Sequence, residues 1–416
     1  MNKNKKIALG KKASKYITTH IADLWPGFTA IPFILYDDEN QIAFGGDKWP
    51  NRYAQEQDGV WVAEGPDPQL FANTVTMYHD VITAIWDTRT WSDDPNISEV
   101  AGGIAHEMFH AHQHTFKAPG ADEVLYTQYP HSGLSVALVI EESKLLLEII
   151  ANPDAITVRD CLEKILVLRK QREAEIGADY IGYDKGCESY EGTAAYVEIH
   201  MKALIEKKTP FEVADSYLAL LNCNDSFLNH YRARCYASGL VLCLASDVIW
   251  GNWQLEWVES GKTVFDWMSS KLSVAESEII VTPTDLQTAD ELLTAYKSAK
   301  EQKVNDFMAQ PLTLFEGSVK LAFLDPMNLV CVDDRCLHKH GGLIFGTNKQ
   351  TLSTPFLTIS GTSVFDAKQV YVPNINLKVD GSRIIVDGLG EMYGYVETTP
   401  NGMRCVITEN VQEKQA

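Results

Sequence analysis

Residues 96–116, NISEVAGGIAHEMFHAHQHTF, mark the point at which a strand pattern gives way to a helical one. Asn96 or Ser98 is a suitable N-cap, because a short polar side chain can accept hydrogen bonds from the first turn. Apolar residues then recur with the spacing of one helix face: Val100, Ile104, Ala105, Met108 and Phe109. The stretch predicts a helix that runs to about Phe116.

The sequence before this helix predicts strands and turns over residues 29–90. Residues 30–46, AIPFILYDDENQIAFGG, place two apolar runs on either side of Asp37–Asn40, which is a hairpin signal. The stretches VWVAEG (60–65) and NTVTMYHDVITAIW (73–86) continue the β-branched pattern. We therefore expect a small sheet in front of the helix.

The sequence after Phe116 predicts a long helical region. Further helical patterns cover residues 135–150, 156–175, 187–206, 210–222, 225–248, 262–270 and 286–308, with breaks near Pro153, Pro210 and Pro283. Beyond Pro311, short segments alternate at period two between Asp, Gly, Asn and Pro residues, which is typical of an all-β domain. We predict an α+β protein with an N-terminal α/β subdomain and mixed sheet (1–95), a helical subdomain (96–310) and an all-β accessory domain (311–416).

The composition limits the classes of function. The 416 residues include 56 acidic and 36 basic ones, and the net charge of −20 disfavours nucleic acids and anionic membrane surfaces as partners. Eight cysteines are scattered without a CxxC pair, as expected of reduced core residues. The basic N-terminus lacks the apolar run of a secretory signal, and no uncharged apolar run reaches about 20 residues. We expect a cytoplasmic protein without a membrane span.

The histidine-rich helix carries the motif HExxH at His106, Glu107 and His110. Residues four apart share a helix face, so the two imidazoles can bind one ion, and Glu107 lies beside them to deprotonate a water. Zn²⁺ accepts such nitrogen and carboxylate ligands and lowers the pKa of water to about 7. The motif predicts a catalytic zinc site.

Other residues of the same helix have less specific interpretations. A catalytic zinc site needs three protein ligands and an open position, so His112 and His114 are interpreted as polar residues on or behind the helix surface. Gly102 and Gly103 each weaken a helix by about 1 kcal/mol. Their presence just before the motif favours a close approach of the helix to the sheet.

The remaining ligand should be a carboxylate on another helix, and ESYEGTAAYVEIH (188–200) is the best candidate. HExxH followed by E-G-x-A-x-Y-x-E resembles the gluzincin zinc metallopeptidases, above all the zinc aminopeptidase family. This resemblance implies that Glu191, at the start of a helix, is the third metal ligand. Glu188, Glu141 and Glu142 are rival carboxylates. Glu141 and Glu142 have an alternative interpretation, in which they form exposed ion pairs with Lys144 or with Arg169 and Arg172. Glu198 is interpreted as a residue behind the ligands or on the surface.

A second segment agrees with the resemblance. CYASGLVLCLASD (235–247) contains Tyr236-x-x-Gly239, similar to a helix of that family whose tyrosine stabilises the oxyanion of the tetrahedral intermediate. The resemblance implies this role for Tyr236. Tyr231, Arg234 and His230 are alternatives.

The chain also departs from the aminopeptidase pattern. Eighty-one residues separate His110 from Glu191, a longer gap than in that family, and two extra helical segments lie within it. The exopeptidase motif GxMEN is missing, since Met77 lacks its neighbours. Recognition of a free substrate amine is therefore not implied.

A possible second metal cluster lies in CVDDRCLHKH, which contains Cys331, Cys336, His338 and His340. Strand patterns flank Asp333–Asp334, so the spacing also fits an ordinary hairpin in which His338 and His340 share one strand face. We expect the hairpin, and hence one Zn²⁺ per chain rather than two.

Together these patterns predict a zinc-dependent metallopeptidase with His106, His110 and Glu191 as ligands, Glu107 as general base and Tyr236 as oxyanion stabiliser. We expect a peptide or protein substrate, held as an extended strand along residues 73–86. The C-terminal β domain then binds a partner or supports the cleft. The alternatives are a catalytically silent zinc-binding scaffold and a zinc hydrolase that cleaves a non-peptide amide or ester.

Overall fold

The computed structural model describes most of the first 309 residues and the strands that follow them. The described ranges are 1–46, 49–57, 59–67, 69–70, 72–126, 129–223, 228, 231–273, 279–309, 312–317, 337–340, 343–347, 355–359, 369–373, 377–386, 390–399 and 402–410.

An N-terminal sheet of six strands has the order β3-β4-β2-β1-β6-β5. Its strands are β1 (Phe33–Tyr36), β2 (Asn40–Phe44), β3 (Ala54–Gln57), β4 (Val60–Glu64), β5 (Thr74–Tyr78) and β6 (Val81–Asp87). The predicted hairpin is confirmed, because β1 and β2 pair antiparallel around residues 37–39. The sheet is mixed, since β1 and β6 run parallel while the other pairs are antiparallel.

Residues 73–86 form a hairpin rather than one long strand. His79 and Asp80 both have positive φ, 46° and 65°, which matches a tight two-residue turn between β5 and β6. The expectation that an extended peptide substrate lies along this range stays a prediction. Of the two strands of this hairpin, β5 lies at an edge of the sheet and β6 does not.

Helices form the middle of the chain, as predicted. They are α1 (Lys3–Leu24), α2 (Ile97–Phe116), α3 (Glu123–Tyr126), α4 (Gly133–Ala151), α5 (Ala155–Ile176), α6 (Ala178–Cys187), α7 (Thr193–Glu206), α8 (Asp215–Leu218), α9 (Tyr231–Trp250), α10 (Gln254–Ser260), α11 (Val264–Ser269) and α12 (Pro283–Met308). A π-helical turn, Glu188–Gly192, joins α6 to α7, and short 3₁₀ turns lie at Thr88–Thr90, Pro210–Val213 and Ala219–Leu221. The helix predicted over 210–222 is wrong, because α8 and two 3₁₀ turns share that segment.

The C-terminal part contains nine described strands in one sheet, ordered β12-β13-β14-β15-β7-β11-β10-β9-β8. They are β7 (Leu312–Gly317), β8 (Leu337–His340), β9 (Leu343–Thr347), β10 (Pro355–Ile359), β11 (Gln369–Pro373), β12 (Leu377–Asp380), β13 (Arg383–Val386), β14 (Gly390–Thr399) and β15 (Gly402–Asn410). The pair β7–β15 is parallel and the other pairs are antiparallel. The α+β class is thus confirmed, whereas the division into three domains stays a prediction.

The N-terminal helix α1 was not predicted from the sequence. Asn2 caps it, and a buried stripe faces α2 and β2: Ile7, Gly10, Ala13, Ile17, Ile21 and Leu24. Lysines on the other faces obscure this periodicity. Lys6 is buried as well, and its ammonium pairs with Asp37 at the end of β1.

Helix α2 crosses the sheet at close range through its glycines. Asn96 is its N-cap and accepts a hydrogen bond from the Ser98 amide at 3.2 Å. A Cβ atom on Gly103 would lie 2.3 Å from the Trp86 ring of β6, and one on Gly102 would lie 3.1 Å from Glu198 of α7. The expected close approach to the sheet is confirmed for Gly103, while Gly102 faces α7 instead.

Replacing Gly103 by alanine should lower the free energy of unfolding by about 1–3 kcal/mol, although alanine favours helices, because the new methyl overlaps the Trp86 ring. Urea denaturation at neutral pH measures this change. Gly182 is the matched control, since it lies in α6 with open space around it, and Gly182→Ala should be neutral or stabilising. Equal effects of the two substitutions would contradict the close packing.

One described helix, α9, is long and apolar enough to cross a membrane. About two thirds of its most apolar window is buried within the protein, as is usual for a core helix. It is therefore only a weak indication of a membrane span.

Candidate metal centre

Three predicted ligands meet at one point in the helical body. His106 and His110 lie one turn apart on α2, and Glu191 lies in the π-helical turn. Oε2 of Glu191 is 3.7 Å from Nε2 of His106 and 3.4 Å from Nε2 of His110. All three residues are buried, and one ligand atom from each lies within 4.8 Å of the others. Two imidazole nitrogens and one carboxylate oxygen fit the donor set of a catalytic zinc site.

The π-helical turn determines where Glu191 lies. The sequence suggested that Glu191 begins a helix. In the structure it does not, because α6, the turn and α7 form one continuous helical run from Ala178. A π turn adds one residue to the helix and often occurs at a functional site. Here it lies against α9, and a Cβ atom on Gly192 would be 2.4 Å from Cα of Gly239. Glycines at both positions therefore let the backbones of the π-helical turn and α9 meet.

A buried glutamine orients His110. Gln113 Nε2 donates to the Tyr190 carbonyl at 2.6 Å and to Thr193 Oγ1 at 2.8 Å. Because a carbonyl can only accept, this contact identifies the amide nitrogen, and Gln113 Oε1 must face Nδ1 of His110, 2.7 Å away. Nδ1 then carries the proton and Nε2 presents its lone pair toward Glu191. This is the tautomer that a metal site requires.

A buried carboxylate lies behind His106 in a similar way. Nδ1 of His106 is 3.2 Å from Oε2 of Glu198, an ion-pair contact rather than a well-directed hydrogen bond. Tyr217 donates to Glu198 at 2.6 Å, and the Lys202 ammonium lies 2.7 Å away. Burial raises the pKa of Glu198, but His106 and Lys202 outweigh it and lower this pKa to about 2. Glu198 thus supports a ligand and is not one itself, as predicted.

Protonation of the ligands opposes metal binding. Burial lowers the pKa of His106, but the neighbouring carboxylates of Glu191 and Glu198 outweigh this effect and raise it to about 10. Burial raises the pKa of Glu191, but its interactions with both histidines and with Arg232 outweigh burial and hold this pKa well below its usual range. A cation at this site must displace the proton on His106 Nε2, so its affinity should fall as the pH falls.

Replacing Gln113 by methionine should weaken metal binding about 10- to 100-fold, because His110 loses the acceptor that fixes its tautomer. Competition against a chromophoric chelator measures the dissociation constant. Gln287→Met on the exposed face of α12 is the control and should change nothing. An unchanged affinity in Gln113→Met would show that Gln113 does not orient His110.

The rival carboxylates lie elsewhere. Glu188 binds Arg169 at 2.6 Å, Glu142 binds the same arginine at 2.7 Å, and Glu141 pairs with Lys144 at 2.9 Å. None of them is in the cluster with the two histidines, and the pairing expected of Glu141 and Glu142 is confirmed. Glu142 and Glu188 are fully buried, however. The sequence had suggested an exposed ion pair for Glu142.

Glu107 is buried beside the two histidines on α2. Burial raises the pKa of its carboxyl group, and the neighbouring histidines oppose the shift. A general base works best when its pKa lies nearer the working pH than that of a solvated carboxylate. The environment of Glu107 therefore suits proton transfer.

Two tyrosines flank the ligands. The Tyr236 ring lies parallel to that of His106, with ring centres 6.1 Å apart, and Tyr190 stacks on His110 at 4.6 Å. Tyr236 is thus at the site as predicted, whereas Tyr231 bonds Arg172 in a separate buried network. His230 lies outside the described residues, and Arg234 binds Glu142.

Tyr190 and Arg232 were missed by sequence reasoning. Arg232 donates to Glu191 Oε1 at 3.0 Å and to the Tyr236 hydroxyl at 2.8 Å. The only signals are positional, since Tyr190 precedes Glu191 and Arg232 is four residues before Tyr236. Neither spacing is specific enough to identify a functional residue.

The two surplus histidines of α2 are not part of the ligand cluster. His112 lies among the rings of Phe28, Phe109 and Phe116, and burial lowers its pKa. His114 is exposed and lies 3.1 Å from the Tyr190 hydroxyl. Their interpretation as surface or supporting residues is confirmed.

No known protein family, curated protein or solved structure matches this chain. The cluster His106–His110–Glu191 is therefore supported by its own geometry, which is compatible with an HExxH metal site. The possible second cluster is not tested, because Cys331 and Cys336 lie outside the described residues; His338 and His340 occupy β8.

Proposed function

We propose that this protein is a zinc-dependent metallopeptidase of the gluzincin type. The observation that carries the proposal is the buried group of two histidines and Glu191, with the buried acid Glu107 on the same helix. A purely structural zinc site has four protein ligands, whereas three ligands leave a position for water or substrate. A structural site also needs no buried acid beside its ligands.

His106, His110 and Glu191 would hold one Zn²⁺ per chain. When bound, the ion supplies Lewis-acid polarisation of a carbonyl group and makes a water molecule acidic enough to react at neutral pH. The protein supports this chemistry by orienting His110 through Gln113 and His106 through Glu198.

Glu107 and Tyr236 supply the remaining steps. The carboxylate of Glu107 accepts a proton from the attacking water and then delivers it to the nitrogen of the leaving amine. The Tyr236 hydroxyl donates a hydrogen bond to the oxygen that becomes negative at the peptide carbonyl. Both proton transfers take place at Glu107, which lies beside the two histidines on α2.

The edge strand β5 is the best candidate to hold an extended peptide. One side of β5 pairs with β6, and its other backbone edge ends the sheet. Met77 and Ile82 are paired across the hairpin and exposed, and they share the sheet face of Ala84, which packs in the core with α2. Backbone pairing and apolar side chains at an edge strand support a peptide as the substrate.

The proposal is tested by incubating the full-length, zinc-replete protein with a peptide library, with and without a chelator. We expect cleavage that stops on chelation and returns when Zn²⁺ is restored. An absence of cleavage together with hydrolysis of model esters would replace the peptidase by a different hydrolase. An absence of both would favour a silent metal-binding scaffold.

A further inference from the structure

We propose that Arg232 is a positioning residue that holds Glu191 and Tyr236 in their working orientations. The inference rests on the proposed function and deepens it. Arg232 is on α9, its side chain is 22% exposed, and its two terminal nitrogens bond two different residues of the site. Glu191 and Tyr236 come from separate helical segments, so this one guanidinium connects them.

The contact with Glu191 separates the roles of its two oxygens. Oε2 faces the two histidines, while Oε1 accepts the hydrogen bond from Arg232 Nη2 at 3.0 Å. Since Oε1 is engaged with a cation, Oε2 is the oxygen left to a metal ion. The arrangement also restrains the side-chain rotation of Glu191 before any ion binds, which should raise metal affinity.

The contact with Tyr236 leaves the phenol proton available. A guanidinium has only donors, so Nη1 of Arg232 must donate to the Tyr236 oxygen at 2.8 Å. The hydroxyl proton therefore does not point at Arg232 and can be donated to an oxyanion.

Lysine cannot reproduce this arrangement. The planar guanidinium offers two nitrogens in a fixed fork, which matches two acceptors on different residues. An ammonium carries the same charge on one nitrogen at the end of a flexible chain. Arg232→Lys should therefore keep the local charge and lose the simultaneous orientation of Glu191 and Tyr236.

The first test measures zinc affinity and does not depend on catalysis. Arg232→Gln should weaken Zn²⁺ binding about 10- to 100-fold and alter the visible spectrum of the Co²⁺-substituted protein, because Glu191 is no longer held. The zinc affinity of Arg232→Lys should lie between those of Arg232→Gln and the parent. This variant still tests the proposal if Arg232→Gln does not fold. Arg159→Gln, exposed on α5, is the charge-matched control and should change neither quantity. Unchanged affinity and spectrum in both Arg232 variants would overturn the Glu191 part of the proposal.

The second test is a double-mutant cycle with Tyr236→Phe at saturating Zn²⁺. Tyr236→Phe should lower kcat about 10²- to 10³-fold without changing zinc affinity. Arg232→Gln should lower kcat rather than raise KM, and should have much less effect when Tyr236 is already phenylalanine. Fully additive losses would overturn the Tyr236 part. If no variant or parent cleaves peptides while the zinc shifts occur, the proposed function fails and the Glu191 part stands.

Discussion

Replacing Glu107 by glutamine should reduce peptide turnover by about 10²- to 10⁴-fold and leave the metal content unchanged. Glutamine has nearly the same shape but cannot accept a proton from water at neutral pH. Glu107 is next to His106 but is not one of the three clustered ligand residues. The loss should therefore appear in kcat, with zinc still bound at the parental stoichiometry.

Steady-state kinetics on a peptide identified from the library, together with zinc quantification, measures this prediction. Glu99→Gln is the matched control, because Glu99 is exposed in the first turn of the same helix. It should keep both parental zinc content and parental kcat. Parental turnover in Glu107→Gln would remove the general base from the mechanism.

Replacing Glu142 by glutamine should lower the free energy of unfolding by about 3–5 kcal/mol. Glu142 is fully buried on α4, and its carboxylate lies 2.7–3.2 Å from nitrogens of Arg169, Arg172 and Arg234. The substitution removes a negative charge from among these buried arginines. Arg169 also binds Glu188 in the π-helical turn, so the same network supports the segment that carries Glu191.

The sign of the pH dependence follows from the same contacts. Burial alone would raise the pKa of Glu142, but the three arginines hold it well below its usual range. The contribution of Glu142 to the free energy of unfolding is therefore fully present above the unfolded-state pKa of about 4.3. It is lost as the pH falls toward the lower folded-state pKa. The parent should lose stability on acidification below about pH 4, and Glu142→Gln should lose less.

Urea denaturation at pH 7 measures the effect of Glu142→Gln. The neighbouring Glu141 is the control, since it pairs with the exposed Lys144 and its substitution by glutamine should change stability by less than about 1 kcal/mol. Equal effects at the two positions would mean that the buried arginines do not depend on Glu142.

Local patterns in the sequence predicted the elements that carry the site. The cap at Asn96, the spacing of His106 and His110 and the hairpin at residues 37–39 all depend on neighbours within a few residues. Glu191 was found only because its motif resembles a known one. Helical periodicity alone did not separate it from Glu188, which is three residues earlier and binds Arg169 instead.

The supporting residues could not be predicted because their roles depend on contacts between distant helices. Tyr190 matters through its stacking on His110, and Arg232 through its bonds to Glu191 and Tyr236. The buried position of Glu142 was missed for the same reason. Its pairing with Arg169 was expected, but only the packing of α4, α5 and α9 shows that water is excluded.

Zinc quantification on the full-length protein tests the central claim most directly, after equilibration with Zn²⁺ and removal of free metal. We predict one Zn²⁺ per chain in the parent and in Glu107→Gln, and none in His106→Ala or Glu191→Ala. One equivalent retained by both ligand variants, or none bound by the parent, would contradict the metal site described here.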